Sequence, residues 1–229
     1  MQFCFFKRSF ISIIGGLLII GCPINALPYG KLNQRYEYFC NIPSDINEHL
    51  PILKKLATEC STVTEIGLRD MVSTAALLQG LSENVSPARS YLGIDIVSPP
   101  ITTLYLNKAL AKSNHIQFVF WQENDMNVDI PITELLFIDS LHTYCHLSYE
   151  LEKFSPYVTK YIAMHDTSDP WGGLDDSEYR GDYSEYPQSF DRQKRGLWIA
   201  VEDFLVRHPE WMLCERRLNN HGFTVLKRR

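Results

Sequence analysis

Hydrophobic positions along this chain alternate between two rhythms, and the changes of rhythm mark its elements. Apolar residues fall at helical spacing in "SDINEHLPILKKLATEC", where Ile46, Leu50, Leu53 and Leu56 share one face. Ser44 or Asp45 with Glu48 supplies a capping box for that helix, and Pro51 interrupts its pattern. "TVTEIG" then reads as a short strand, followed by a helix carrying Val72, Ala75, Ala76 and Leu78. "YLGIDIV", "HIQFVFWQEND", "ELLFIDSLHTY" and "KYIAMHDT" are further strands, with helices predicted over "PITTLYLNKALAKS" and "CHLSYELEKFSPYV". The unbroken run Leu135–Ile138 is the mark of a parallel strand buried on both faces. Strands alternating with helices predict an α/β domain, a mostly parallel sheet with helices on both faces. A last helix, "LWIAVEDFLVRHPEW", precedes two β-prone segments around "NNHG", which predict an antiparallel C-terminal hairpin.

Two segments break the rhythm. Residues 1–26 combine Lys7 and Arg8 with an apolar run from Phe10 to Ile20 and a neck of small residues, the layout of a signal peptide. Cleavage after Ala26 and lipoprotein-type processing before Cys22 both fit, as does an uncut membrane anchor; a buried N-terminal helix is the alternative. The expected location is therefore exported or membrane-anchored, with the cytoplasm as alternative. Residues 27–229 read as a single domain, in which 167–196 form a long loop rich in acids and aromatics (Trp171, Tyr179, Tyr183, Tyr186), the composition of a lid.

Composition narrows the function. A net charge of −5 leaves no basic stripe, so nucleic acid is not an expected partner. The six cysteines show neither zinc spacing nor a CxxC pair.

Five successive strands end in acids or histidine. Since open α/β sheets bind ligands at the carboxyl ends of their strands, Glu65, Asp95, Asp125, Asp139, His165 and Asp166 are expected on one rim. Asp95 is suited to ribose hydroxyls, and Gly67 lets the backbone pass close to a ligand. The loop after Glu65 is too poor in glycine to cradle a pyrophosphate, which argues against NAD and ATP. It suits a nucleoside with an amino-acid end, such as S-adenosylmethionine. Asp139 and Asp166 can share a hard cation such as Mg²⁺. A bland reading stands beside each: Asp139 as a helix cap, and His142 as a histidine bonded in a polar turn.

The series "TEIG", "YLGIDI", "WQEND", "LLFIDSLHTY", "YIAMHDT" and "NNHGFTVL" resembles the class I S-adenosylmethionine-dependent methyltransferases. It is most similar to the branch grouped as methyltransferase family 24, with cephalosporin hydroxylases and macrolide-sugar O-methyltransferases. The resemblance runs from about Asp45 to the C-terminus. It implies a Rossmann-like seven-stranded sheet with an antiparallel last strand. It further implies Glu65, Gly67 and Ser73 at the methionine end of the cofactor, Asp95 on the ribose and Asp125 near the adenine. His165 stands where relatives have a carboxylate, completing with Asp139 and Asp166 a metal set that leans toward Mn²⁺. His142, three residues after Asp139, matches the general base of the sugar O-methyltransferases. The departures are Arg69 and Met71, at positions where the wider superfamily has glycine.

The expected function is methyl transfer from S-adenosylmethionine to a hydroxyl of a small molecule or sugar, assisted by Mg²⁺ or Mn²⁺. Two alternatives stay open: a hydroxylase-like relative, and an exported or anchored binding protein that keeps the fold without catalysis.

Overall fold

The structure is a computed structural model that describes residues 30–176 and 183–229. Residues 1–26, read in the sequence as a leader, Tyr179 and the centre of the proposed lid lie outside the described residues. Among the described residues no helix is long and apolar enough to cross a membrane.

The elements run α1 (Leu32–Asn41), α2 (Leu50–Thr58), β1 (Thr62–Ile66), α3 (Val72–Glu83), β2 (Arg89–Asp95), α4 (Ile101–Ser113) and β3 (Ile116–Gln122). They continue with β4 (Thr133–Ile138), α5 (Tyr144–Phe154), β5 (Val158–His165), α6 (Leu197–Arg207), β6 (Trp211–Arg217) and β7 (Phe223–Arg228). The seven strands form one sheet in the order β3-β2-β1-β4-β5-β7-β6. Strands β1 to β5 are parallel; β7 runs antiparallel to β5, and β6 antiparallel to β7. This is the Rossmann-like sheet with a C-terminal hairpin that the sequence predicts.

Side-chain alternation shows why β4 reads as a continuous apolar run. Leu135 and Phe137 pack into the core on one face, with α2 and α3, while Leu136 and Ile138 pack into the core on the other, with α5 and α6. A strand at the centre of a two-faced sheet has no polar side to show.

The start of α2 differs from its sequence reading. Ser44 accepts hydrogen bonds from the backbone N–H of Asn47 (3.1 Å) and Ile46 (3.4 Å), and so holds the turn that leads into a short 3₁₀ helix at Asn47–His49 rather than capping α2. The α-helix begins only at Leu50, which puts Pro51 in its first turn, where its missing N–H costs nothing. Ile46, Leu50, Leu53 and Leu56 are all buried in one core, as their spacing requires.

The chain reverses direction across the sheet between β1 and β4, and the ligand crevice of such sheets opens there. At this point the loops after β1 and β4 touch. A Cβ on Gly67 would lie 2.0 Å from the carbonyl oxygen of Asp139, and its φ of +81° is one that glycine adopts freely.

Candidate functional site

Above the crevice lies a cavity of about 870 Å³, within the roughly 300–1,000 Å³ usual for small-molecule sites. Gly67, Ser73, Asp95, Asp125, Asp139, His142 and Asp166 all line it. Glu65 and His165 do not; they sit behind its wall. Trp171 and Tyr186, from the segment read as a lid, close another side. Acids dominate the charged lining, and Arg69 is the one Lys or Arg among the lining residues.

The wall built by β1 and β2 is made of acids whose oxygens are already engaged. Glu65 is fully buried; Ser73 and Tyr91 donate their hydroxyls to it, and Thr74 does so at 2.7 Å. Burial pushes its carboxyl up to about 7 even against those hydrogen bonds. Its carboxylate thus points into the protein rather than toward a cofactor's ammonium, and Ser73 spends its hydroxyl on it. Asp95 accepts from the backbone N–H of Leu68 (2.7 Å) and Arg69 (3.0 Å) through one oxygen, and from Val97 (2.8 Å) through the other. It shapes the loop that faces the ligand space.

That loop keeps a glycine conformation without the glycines. Arg69 has φ +45° and Met71 φ +62°, both left-handed. Met71 drops its side chain wholly into the core, with sulfur 3.5 Å from the Asn107 amide. Arg69 sends its guanidinium outward to Asp45 at 2.8 Å. The departures seen in the sequence change the side chains and leave the turn in place.

The wall built by β4 and β5 is less settled. His142 Nε2 lies 2.9 Å from Asp166 Oδ2 and 3.7 Å from Asp139 Oδ1. His165 Nδ1 lies 3.3 Å from Asp166 Oδ2 and 3.5 Å from Asp139 Oδ1. The other nitrogen of His165 is 2.9 Å from the Asp45 carbonyl, to which it can only donate. Neutral His165 would therefore turn a lone pair toward two carboxylates. Among the described residues, neither His165 Nδ1 nor Asp166 Oδ1 has a hydrogen-bond partner in proper geometry, although both are buried. Asp166 also holds a left-handed backbone, φ +58°. Burial opposes charge throughout the group, yet the acid–histidine contacts prevail. His142 rises to about 9, His165 rises well above its usual value, and Asp139 and Asp166 fall below theirs. Three donor atoms, from Asp139, His142 and Asp166, lie within metal-sharing reach of one another. In the sequence reading His165 took the ligand role and His142 the base; the structure sets both against the same two acids.

A second group was missed. His146 Nε2 lies 3.2 Å from Asp125 and 3.8 Å from Glu150. Burial pushes the Glu150 carboxyl up to about 8. Its sequence signal is "HLSYE", a histidine and an acid four apart on one face of α5, which lies inside a helix and outside the strand-end pattern.

No protein-family model matches the chain, and no curated protein matches it in sequence. Solved structures do share its fold. A protein from Corynebacterium glutamicum aligns with a TM-score of 0.54 at 15% identity, covering 86% of this chain and 88% of that one. The O-methyltransferase of Bacillus cereus in complex with SAH aligns at 0.52 and 11% identity, over 86% and 90% of the two chains. The SAH-bound methyltransferase of Podospora anserina aligns at 0.51 and 12% identity, over 86% and 87%. The fold is the Rossmann-like α/β fold of methyltransferases.

Proposed function

We propose that this protein transfers a methyl group from S-adenosylmethionine to a hydroxyl of a small molecule or sugar, with a divalent cation, Mg²⁺ or Mn²⁺, at Asp139 and Asp166. One observation carries the reading. At the topological switch point, the left-handed loop at Gly67–Met71 and the Asp139–His142–Asp166 group share the same cavity.

The residues fit both missing groups. A nucleoside without phosphates asks for a close backbone and an open wall, which Gly67, Asp95 and Asp125 provide. The acid-rich lining favours a sulfonium cation and disfavours an anionic acceptor. For the cation, the fit lies in the orphaned Asp166 Oδ1 and His165 Nδ1, buried atoms that nothing else among the described residues satisfies. The bound cofactor supplies the electrophilic methyl, and the cation lowers the pKa of an acceptor hydroxyl.

The chain's own part is positioning and proton transfer. Asp139 and Asp166 fix the acceptor end of the cavity, and Trp171, with its ring 4.8 Å from that of His142, shields it from water. His142 is the base. It takes a proton only as neutral imidazole, so the negative field of Asp139 and Asp166 must first be compensated. Glu65 and Ser73 serve by holding the loop, and the acceptor enters under the segment around Trp171 and Tyr186. The leader at 1–26 belongs to the same proposal, as a device for export or membrane attachment.

Thermal-shift measurements with S-adenosylmethionine, S-adenosylhomocysteine and NAD test the reading. Stabilisation by the first two and not by NAD is expected. No shift with either sulfur nucleoside would reject methyl transfer and favour the binding protein.

A further inference from the structure

Beside the proposed reaction centre, a second set of donors converges with a different composition. Asp125 stands in a 3₁₀ turn after β3, and His146 and Glu150 project from one face of α5. Asp125 and His146 line the cavity; Glu150 lies beneath them, completely buried. We propose that Asp125, His146 and Glu150 form a second divalent-cation site, distinct from Asp139 and Asp166, suited to Zn²⁺ or Mn²⁺, with its open side toward the cavity.

Spacing is the first argument. Two donors each 2.0–2.2 Å from a tetrahedral ion stand about 3.4 Å apart. His146 Nε2 is 3.2 Å from Asp125 Oδ2 and 3.8 Å from Glu150 Oε1, so an ion needs only small shifts to seat itself.

Unsatisfied atoms are the second. Among the described residues, the buried Glu150 Oε2 has no hydrogen-bond partner, and the buried Asp125 Oδ2 meets His146 Nε2 at 3.2 Å outside hydrogen-bond geometry. An unmet carboxylate oxygen in a fully buried side chain is costly unless something cationic meets it. The nearby ammonium does not: Lys153 Nζ is engaged by the backbone carbonyls of Asp125 (3.1 Å) and Met126 (2.7 Å). Two carboxylates thus share a single imidazole.

The supporting contacts are the third. Ligating histidines are held by a partner on the ring nitrogen away from the metal. His146 Nδ1 is 3.0 Å from the Tyr186 hydroxyl, which aims Nε2 at the acids. Ser140 donates to Glu150 Oε1 at 2.7 Å and fixes that carboxylate in turn. One nitrogen and two carboxylates, with one side open to solvent or ligand, match three-ligand sites that keep a position free.

Calorimetric titration of the full-length protein with Zn²⁺, and separately with Mn²⁺, tests this in the Asp139→Asn background, which removes one carboxylate charge from the neighbouring group. One equivalent should still bind. Glu150→Gln added to that background should weaken it at least 10-fold, and Tyr186→Phe, which leaves all three ligands in place, by about 10-fold. Circular dichroism checks that each variant is folded; should Glu150→Gln unfold, the Tyr186→Phe result decides alone. Absence of binding in Asp139→Asn, or affinities unchanged by Glu150→Gln and Tyr186→Phe, overturns the site. S-adenosylhomocysteine binding, measured on the same samples, reports on the methyl-transfer reading separately.

Discussion

The two walls of the cavity use the same residue types to opposite ends. On the β1–β2 side, Glu65 and Asp95 have their oxygens engaged by hydroxyls and backbone N–H groups of the chain itself. On the β4–β5 side, Asp166 and His165 keep buried atoms without a hydrogen-bond partner among the described residues, and two histidines crowd two acids. Acids of the first kind shape backbone; acids of the second kind face histidines and the cavity. A carboxylate at a strand end therefore says little until its partners are counted.

The largest effect should come from breaking the contact that joins the walls. Gly67→Ala would place a methyl 2.0 Å from the Asp139 carbonyl oxygen at a φ of +81°. Both loops must move, and a loss of at least about 4 kcal/mol is expected, read as a fall in Tm of roughly 10 °C. A variant within 1 kcal/mol of wild type would mean that the walls are not tied together there.

Next in size is the proton linkage of Glu65, the most enclosed acid of the engaged wall. Its folded pKa, about 7, stands above the unfolded 4.5. A raised value means that the folded state holds the proton longer. The stability it contributes is complete below pH 4.5 and is lost as pH climbs to about 7. The loss is on the order of 3 kcal/mol. Glu65→Gln removes the titration, so its unfolding free energy should decline less than that of wild type between pH 4.5 and 7. Parallel curves in denaturant titrations across that range would show that Glu65 does not carry the linkage.

The division between walls also explains what the sequence disclosed. The sheet and its hairpin were readable because β4 and β7 bury residues on both faces, and because strands and helices alternate without long gaps. The convergence of Asp95, Asp125, Asp139 and Asp166 on one cavity followed from topology alone. Side-chain direction did not follow. Nothing local says that Glu65 turns inward to Ser73, Thr74 and Tyr91, because those partners come from β2 and α3. Glu150 escaped for a related reason. It is a charged residue inside an amphipathic helix, where solvent is the ordinary destination, and only the fold shows it completely buried.

On the open wall, Asp139→Ala removes one of the two carboxylates proposed to hold the cation and the acceptor end of the cavity. His142 and His165 each lose one of the two carboxylates that raise them, so the His142 pKa should drop below about 9. Methyl transfer should fall about 100-fold, close to 3 kcal/mol of lost transition-state stabilisation, with S-adenosylhomocysteine affinity changed little. An equal loss in cofactor affinity and rate would assign Asp139 to cofactor binding, and blur the distinction between the walls.

The smallest effect belongs to the left-handed turn and isolates its strain. Arg69→Gly and Arg69→Ala both remove the 2.8 Å pair with Asp45, an exposed contact worth no more than about 1 kcal/mol. They differ in backbone preference. At φ +45° alanine keeps the steric cost of a left-handed residue, on the order of 1 kcal/mol, while glycine has none. Glycine's greater freedom in the unfolded chain works the other way by a similar fraction of a kcal/mol. If the turn is held against its own preference, Arg69→Gly should be the more stable of the two by up to about 0.5 kcal/mol in denaturant unfolding. Should alanine be equal or better, the loop would be relaxing out of the left-handed region. The engaged wall would then be softer than its hydrogen bonds to Asp95 imply.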